Sequence, residues 1–265
     1  MVGAHHMRTL LTTLMIPFLF SCNGDGSGKI NLYTIEDDIE LGRQLRAEIA
    51  SDPVTYPVLS QAMYPEAYAH LYEIRDSILA SGAVYHADDF EWELQIIHDD
   101  ETLNAFCAPG GYIYVYTGLI KFLAYEDNLA GVIGHEIAHA DLRHSTQQLT
   151  QAFGLSVLLA ILTDSDPGLL AEVAAGLVNL SFSRSDEREA DEASVDYLCN
   201  TDYAADGTAG FFEQLEGFEL PEFLSTHPSS ETRVEDITEY ATTLGCDLTM
   251  KPDADYQALI DALPR

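Results

Sequence analysis

The residues best suited to chemistry are two histidines and a glutamate in the sequence His135-Glu136-Ile137-Ala138-His139. Positions four apart on an α-helix lie one turn above each other, so His135 and His139 can direct two imidazole rings at one metal ion. Glu136 lies beside them, where its carboxylate can take a proton from metal-bound water rather than bind the metal. The pattern predicts a helix-borne zinc site that activates water for peptide hydrolysis. The alternative is a surface helix that carries two histidines by chance.

A catalytic zinc site uses three protein ligands and keeps one open position, so a third ligand is required. The metzincin pattern continues the motif with a glycine and a third histidine. This chain has Leu142 and Ser145 at those two positions, which excludes that class. An acidic ligand on a later helix is the remaining choice.

Three acidic candidates stand together between residues 183 and 191: Asp186, Glu187 and Glu189. Glu187 and Asp191 are four residues apart on one helical face, so Glu187 can bind zinc while Asp191 orients a ligating histidine through its outer N–H. Glu189 points to the opposite side of the helix. Spacing therefore favours Glu187, and the alternative is an acidic, solvated helix face.

The elements that would position these residues are mostly helical. Apolar residues recur at helical spacing over 33–50, 64–80, 119–123, 128–148, 149–162, 169–180, 184–198, 210–217, 229–244 and 255–263. Alternating polarity, or aromatic and β-branched residues, predict strands over 92–96, 104–108 and 112–116. We therefore expect an α+β fold, predominantly helical, with a small β-sheet beside the helix of His135.

The N-terminal residues 1–22 have the features of a lipoprotein-type signal peptide. The apolar run 10–20 has about the length of a signal peptide and is too short to span a bilayer permanently. It ends in Leu19-Phe20-Ser21-Cys22, which resembles a lipobox, where a cysteine is acylated and becomes the first mature residue. Phe20 is bulkier than that pattern usually has, and an ordinary cleaved signal with an incidental Cys22 is the alternative.

The remaining sequence divides into a tether and one domain. Residues 23–32 are rich in glycine and predict a flexible tether. Residues 33–265 carry all the helical and strand patterns, and at 47% hydrophobic residues the chain can bury a substantial core. We therefore expect a single catalytic domain over 33–265.

Charge excludes some partners. The chain has 44 acidic and 12 basic residues and a formal net charge of -32. Such a charge repels nucleic acids and anionic membrane surfaces, so a nucleic-acid partner is not expected. The acidic residues are interpreted as a solvated surface rather than as a specific site.

Three cysteines follow Cys22 in a compartment expected to be oxidising. A bridge between Cys199 and Cys246 and a pair of free thiols both fit the sequence, because each residue follows a helical segment near its end. Cys107 lies in an apolar strand and is interpreted as a packing residue.

Several motifs in a fixed order carry a resemblance to a known family. They are Asn104-Ala105-Phe106, Pro109-Gly110-Gly111, Thr117-Gly118-Leu119, the motif at His135, the segment Ser183 to Asp191, Thr226-His227-Pro228, and Arg233. Over about residues 38–244 the chain resembles metallopeptidase family forty-eight, which belongs to the gluzincins. The resemblance implies a zincin-like fold and one Zn²⁺ per chain held by His135, His139 and Glu187, with Glu136 as general base and acid.

The resemblance also implies roles for later residues. It places His227 near the open coordination position, where this side chain closes the zinc site or stabilises the oxyanion; a turn residue before a proline is the alternative. Arg233 matches a family position. His144 also has a counterpart in similar proteins, but on a continuous helix it lies about 140° round the axis from His139, so we interpret it as structural.

The expected protein is a lipid-anchored endopeptidase of the bacterial cell envelope, most simply on the periplasmic face of the outer membrane. Its expected substrates are misfolded or stalled envelope proteins, and extended chains could pair with the strand of Asn104, Ala105 and Phe106. Envelope assembly machinery is a candidate partner. The rival hypothesis is a non-proteolytic zinc-binding chaperone or assembly lipoprotein that His227 keeps closed. A protease for prenyl peptides is a weaker hypothesis, because no apolar run of bilayer length follows the signal.

Overall fold

The computed structural model describes residues 31–164, 166–215, 225–228, 232–250 and 254–265, so the predicted signal peptide, Cys22 and most of the tether lie outside the described residues. The helices are α1 (Ile35–Ser51), α2 (Pro65–Ala80), α3 (Thr117–Phe122), α4 (Glu126–Asp141), α5 (His144–Phe153), α6 (Leu155–Asp164), α7 (Pro167–Val178), α8 (Arg184–Leu198), α9 (Gly207–Leu215), α10 (Arg233–Leu244) and α11 (Ala254–Ala262). The strands are β1 (Glu93–Ile97), β2 (Ala105–Ala108) and β3 (Tyr112–Tyr116). The predicted α+β fold with a small sheet is confirmed.

The three strands form one sheet in the order β1-β3-β2. β1 runs parallel to β3, and β2 runs antiparallel to it with Phe106 opposite Tyr114. The turn between β2 and β3 contains Gly110 and Gly111, both at positive φ, which glycine adopts at little cost. The predicted pair of strands around a glycine-rich turn is therefore a β-hairpin.

The sheet separates two hydrophobic clusters. Ile113 and Val115 point into the cluster that contains the buried faces of α2, α4, α8 and α9. Tyr112, Tyr114 and Tyr116 alternate with them and point toward α1, α5, α6 and α7. The helix with the histidine motif therefore packs against one face of the sheet, as predicted.

Small residues let α4 approach its neighbours closely. A Cβ on Gly131 would meet the backbone of Gly207 and Thr208 in α9, and a Cβ on Gly134 would lie 2.7 Å from the Ser194 Oγ of α8. Every residue of α4 is buried. The glycines of this helix therefore bring α8 and α9 close to it, and α8 carries the acidic candidates.

The prediction of one continuous helix over 128–148 is wrong. The helix ends at Asp141, and Arg143 has φ 60° and ψ 27°, in the left-handed region. The buried Arg143 guanidinium binds the Asp38 carboxylate at 2.6 Å and also donates to the carbonyl of Tyr33 at 2.7 Å. This tertiary anchor outweighs the local helical preference, so α5 starts in a new direction at His144.

The predicted helix over 149–162 is also divided. Gly154 has φ 86° and separates α5 from α6. Leu159 of α6 is 44% exposed, whereas Leu158 and Ile161 are buried, so α6 is buried on one face. None of the helices in the described residues combines the length and the apolar composition that a membrane crossing requires.

The structure shows which of the cysteines form a disulfide bond. Cys199, at the end of α8, forms a disulfide with Cys246, which follows α10. Of the two alternatives left open by the sequence, the bridge is therefore the correct one. Cys107 is a free, buried thiol.

Candidate metal centre

Three separate parts of the chain bring four potential ligands together. His135 and His139 come from α4, Glu187 comes from the first turn of α8, and His227 comes from the segment 225–228. One ligand atom from each residue lies within 4.8 Å of the other three, and all four side chains are buried. The structure thus gathers the residues that were predicted from spacing and from the family resemblance.

The distances fit a tetrahedral ion. The Nε2 atoms of His135 and His139 are 3.0 Å apart. The Glu187 carboxylate oxygens lie 3.5 Å from His135 Nε2 and 3.4 Å from His139 Nε2. Ligand atoms at about 2.0–2.1 Å from a tetrahedral zinc are separated by roughly 3.3 Å. Two imidazoles and a carboxylate at these separations therefore suit Zn²⁺.

Glu136 points into the same enclosed space. The side chain is fully buried, and the buried Cys107 thiol hydrogen-bonds to its carboxylate. Its Oε1 lies 3.5 Å from Nε2 of His227. Burial raises the pKa of Glu136 because it penalises the charged form, while His227 acts in the opposite direction. A buried carboxylate of raised pKa is suited to accept and return a proton.

Arg233 and Asp191 contact two of the potential ligands and fix their orientation. The Nε and Nη2 atoms of Arg233 donate to the two Asp191 oxygens at 2.6 and 2.8 Å. The third guanidinium nitrogen, Nη1, lies 2.8 Å from Oε2 of Glu187. Asp191 Oδ1 in turn lies 3.0 Å from Nδ1 of His135. Such outer contacts fix the orientation and tautomer of a ligating histidine.

The charges at the site determine the protonation of Glu187. Burial alone would raise the pKa of this carboxyl, but His227, His135 and His139 surround it and hold the pKa well below its ordinary value. Glu187 is therefore a carboxylate, which is the form that binds a metal ion.

His144 contacts the site, contrary to the prediction that it lies on another face of the helix. Because the helix is interrupted at Arg143, the His144 ring turns back and its Nδ1 lies 3.0 Å from Nδ1 of His139. On its other side, His144 Nε2 is 3.5 Å from Glu189 Oε2. His144 therefore positions the outer nitrogen of His139, as Asp191 does for His135.

We expect His144→Phe to weaken zinc binding by about 10- to 100-fold, because it removes the polar partner of His139 and keeps a ring of similar shape. Competition with a chromogenic chelator measures the zinc Kd. His98→Phe, remote in sequence from the metal-site motifs, is the control and should leave the Kd unchanged. An unaltered Kd in His144→Phe would show that the contact does not orient His139.

The remaining acidic candidates have other roles in the structure. Asp186 accepts from the Ser183 backbone and completes the capping box at the start of α8. Glu189 lies against His144 and not among the four potential ligands. Selection of Glu187 by helical spacing thus agrees with its placement.

The predicted substrate strand is the edge strand β2 of the described sheet. Asn104, Ala105 and Phe106 are buried. The backbone N–H of Ala105 bonds to the Asn104 side chain at 2.9 Å, and Ser145 donates to the carbonyl of Cys107 at 3.1 Å. An incoming strand would have to replace these two bonds, and binding of substrate to β2 stays a prediction.

Sequence reasoning missed two residues beside the site. The Phe182 ring stacks on His139, with centroids 3.9 Å apart, and its N–H bonds to the Thr226 carbonyl at 3.2 Å next to His227. The Cys107 thiol has a pKa well above its ordinary value because of burial and the nearby Glu136. Only adjacency to Ser183 hinted at Phe182, and no sequence signal placed Cys107 here.

Comparison with known proteins also indicates a metallopeptidase. The model of peptidase family M48 matches residues 69–241. The chain is 34% identical over 158 residues to the mitochondrial metalloendopeptidase OMA1 of Arabidopsis thaliana and 35% identical over 167 residues to that of Schizosaccharomyces pombe. It is 32% identical over 176 residues to a putative beta-barrel assembly-enhancing protease of Vibrio cholerae.

These matches cover only part of each protein. They span 58%, 60% and 59% of this chain, and 32%, 49% and 36% of the three relatives respectively. The family model's match over residues 69–241 includes all four residues of the cluster, His135, His139, Glu187 and His227.

Proposed function

The chain belongs to peptidase family M48, a family of zinc metallopeptidases, and from this premise we propose that it hydrolyses internal peptide bonds of protein substrates. The observation that carries the proposal is the buried cluster of His135, His139 and Glu187 with Glu136 directed into the same space. In this assignment the first three residues hold Zn²⁺ and Glu136 moves the proton. Asp191 and Arg233 keep the ligands oriented.

When bound, zinc supplies Lewis-acid activation of water and of the scissile carbonyl. Glu136 accepts a proton from the attacking water as the new C–O bond forms, and its complete burial, which penalises the charged form, favours holding that proton. Glu136 then delivers the proton to the amide nitrogen as the C–N bond breaks, which releases an amine and a carboxylic acid, and the acid then gives its proton to the solvent. Nε2 of His227, 3.5 Å from Glu136, is positioned to donate a hydrogen bond to the developing oxyanion.

We further propose that the substrates are misfolded or stalled proteins of the bacterial envelope, bound in an extended form along β2. The similarity to a relative described as a putative beta-barrel assembly-enhancing protease supports an envelope setting. The lipobox-like sequence at Cys22 supports a lipid anchor, with the outer membrane's periplasmic face as the proposed location and assembly machinery as a proposed partner.

The anchor is tested on the full chain expressed in a bacterial host. We expect labelled palmitate to be incorporated by the wild type and not by Cys22→Ser, because acylation requires the thiol. Cys107→Ser is the matched control and should remain labelled, since Cys107 is a buried thiol of the folded domain. Absence of label from the wild type would refute lipidation.

A second candidate function is favoured by the position of His227. Its ligand atom belongs to the same cluster of four, so His227 can close the site as a fourth ligand. A site closed in this way would make the chain a zinc-binding chaperone or assembly factor, or a protease that becomes active only when His227 leaves the zinc.

Zinc content and cleavage of unfolded casein by the wild type and by His227→Ala separate the candidates. If His227 stabilises the oxyanion, the variant loses about 10²- to 10³-fold in kcat. If His227 closes the site, the variant gains activity over the wild type while zinc remains bound. Zinc binding without cleavage in either protein would contradict the peptidase proposal and support the function of a zinc-binding chaperone.

A further inference from the structure

A cavity lies between α8 and α10, next to the proposed metal centre. Its inner wall is formed by Glu187, Asp191 and Arg233, and its mouth by Arg184 and Arg188, both exposed. We refer to it as the α8–α10 cavity. Its volume of about 240 Å³ is below the range of roughly 300–1,000 Å³ usual for small-molecule pockets. A single substrate side chain suits this size better than a cofactor does.

The two arginines at the mouth differ from most of the other cations. Six described cations each have a carboxylate within 4.0 Å: Arg43, Arg46, Arg75, Lys121, Arg143 and Arg233. In the described portion of the chain, the side chains of Arg184 and Arg188 make no ion pair or hydrogen bond. They remain without a partner although acidic residues outnumber basic ones 44 to 12.

Their arrangement concentrates positive charge at one end of the cavity. Arg184 and Arg188 are four residues apart, so both guanidinium groups project from one face of α8, where like charges repel slightly. The acidic lining residues Glu192 and Asp236 lie farther along the two helices. Arg233 at the inner wall is already neutralised by Asp191 and Glu187. A carboxylate entering at the Arg184 end would satisfy both free arginines.

We propose that the α8–α10 cavity is a substrate subsite for an aspartate or glutamate side chain close to the scissile bond. The proposal rests on the proposed peptidase function and deepens it, because Glu187 belongs to both the metal cluster and the cavity wall. In a chain of net charge -32, this local pair of cations offsets the repulsion that an acidic substrate segment would otherwise meet.

The test compares quenched fluorescent peptides that are identical except for one position beside the cleaved bond, occupied by Glu, Gln or Lys. We expect the wild type to have a kcat/KM about 10-fold higher for the Glu peptide than for the Gln peptide, since hydrogen bonds to charged groups are the stronger ones. The preference should shrink at 0.5 M NaCl, because exposed charges are screened.

The variants assign the preference to the cavity. The double variant Arg184→Gln, Arg188→Gln should cleave the Glu and Gln peptides at equal kcat/KM, and Arg188→Glu should favour the Lys peptide. The control Arg43→Gln removes an exposed arginine of α1 and should keep the wild-type preference. Equal cleavage of Glu and Gln peptides by the wild type, or a preference that survives in the double variant, would overturn the proposal.

A binding measurement separates this proposal from the peptidase assignment. If the wild type cleaves none of the peptides, the peptidase proposal fails, and the subsite is then tested by fluorescence anisotropy of the same peptides. Tighter binding of the Glu peptide by the wild type than by the double variant supports the subsite. Equal binding by both proteins rejects it.

Discussion

Glu136→Gln should lower kcat on unfolded casein by about 10²- to 10⁴-fold while zinc stays bound, because the amide keeps the size of the side chain and cannot accept a proton. The Cys107 thiol hydrogen-bonds to the Glu136 carboxylate, and the amide oxygen of glutamine can still accept that bond. Burial already disfavours the charged form of Glu136, so a neutral amide should fold at least as well as the wild type.

The measurement combines initial rates with metal analysis of the same preparation. Glu66→Gln, an exposed substitution on α2, is the matched control and should retain wild-type kcat and zinc. Casein cleavage by Glu136→Gln near the wild-type rate would refute the role of this residue. Loss of zinc together with activity would instead indicate that Glu136 supports metal binding.

Asp38→Ala should lower the free energy of unfolding by about 3–5 kcal/mol, because it leaves the buried Arg143 guanidinium without its counterion. The pair is formed at 2.6 Å, and both side chains are nearly inaccessible to solvent. The variant also removes the acceptor of Thr146 Oγ1. Burial raises the pKa of Asp38 even beside Arg143, so the intact pair contributes little net stability, whereas breaking it is costly.

Urea denaturation of wild type and variant measures this effect. The control is Glu40→Ala, which removes one partner of the exposed pair with Arg43 and should change stability by less than about 1 kcal/mol. Replacing both members, as Asp38→Leu with Arg143→Met, should restore part of the loss. A loss below about 1 kcal/mol in Asp38→Ala would mean that water reaches Arg143 and solvates its charge.

The residues of the candidate site were predictable where the information is local. The four-residue spacing of His135 and His139, and of Glu187 and Asp191, defines helix faces whatever the rest of the chain does. The family resemblance added His227 and Arg233, which share no helix with the motif. Their contacts with Glu187 arise only when α8, α10 and the segment 225–228 come together.

The wrong predictions concern features that depend on contacts between residues far apart in the sequence. Apolar periodicity continues through Arg143, so the sequence favours one helix there, whereas the left-handed residue is stabilised by Asp38, 105 positions away. The error in the helix then moved His144 to the wrong face. Likewise, the pairing of Cys199 with Cys246 depends on how α8 and α10 pack, and spacing alone left the alternative of two thiols open.

The disulfide between Cys199 and Cys246 fastens the end of the helix that carries Glu187 to the chain just after the helix that carries Arg233. A covalent link after the last turns of the two helices and the Arg233–Asp191 ion pair, between the start of α10 and the middle of α8, thus join the same two helices. Glu187, the acidic member of the metal cluster, is thus held in place by contacts that do not involve the ion. Zinc therefore binds to a preorganised site in this protein. In small zinc modules, by contrast, the metal itself drives folding.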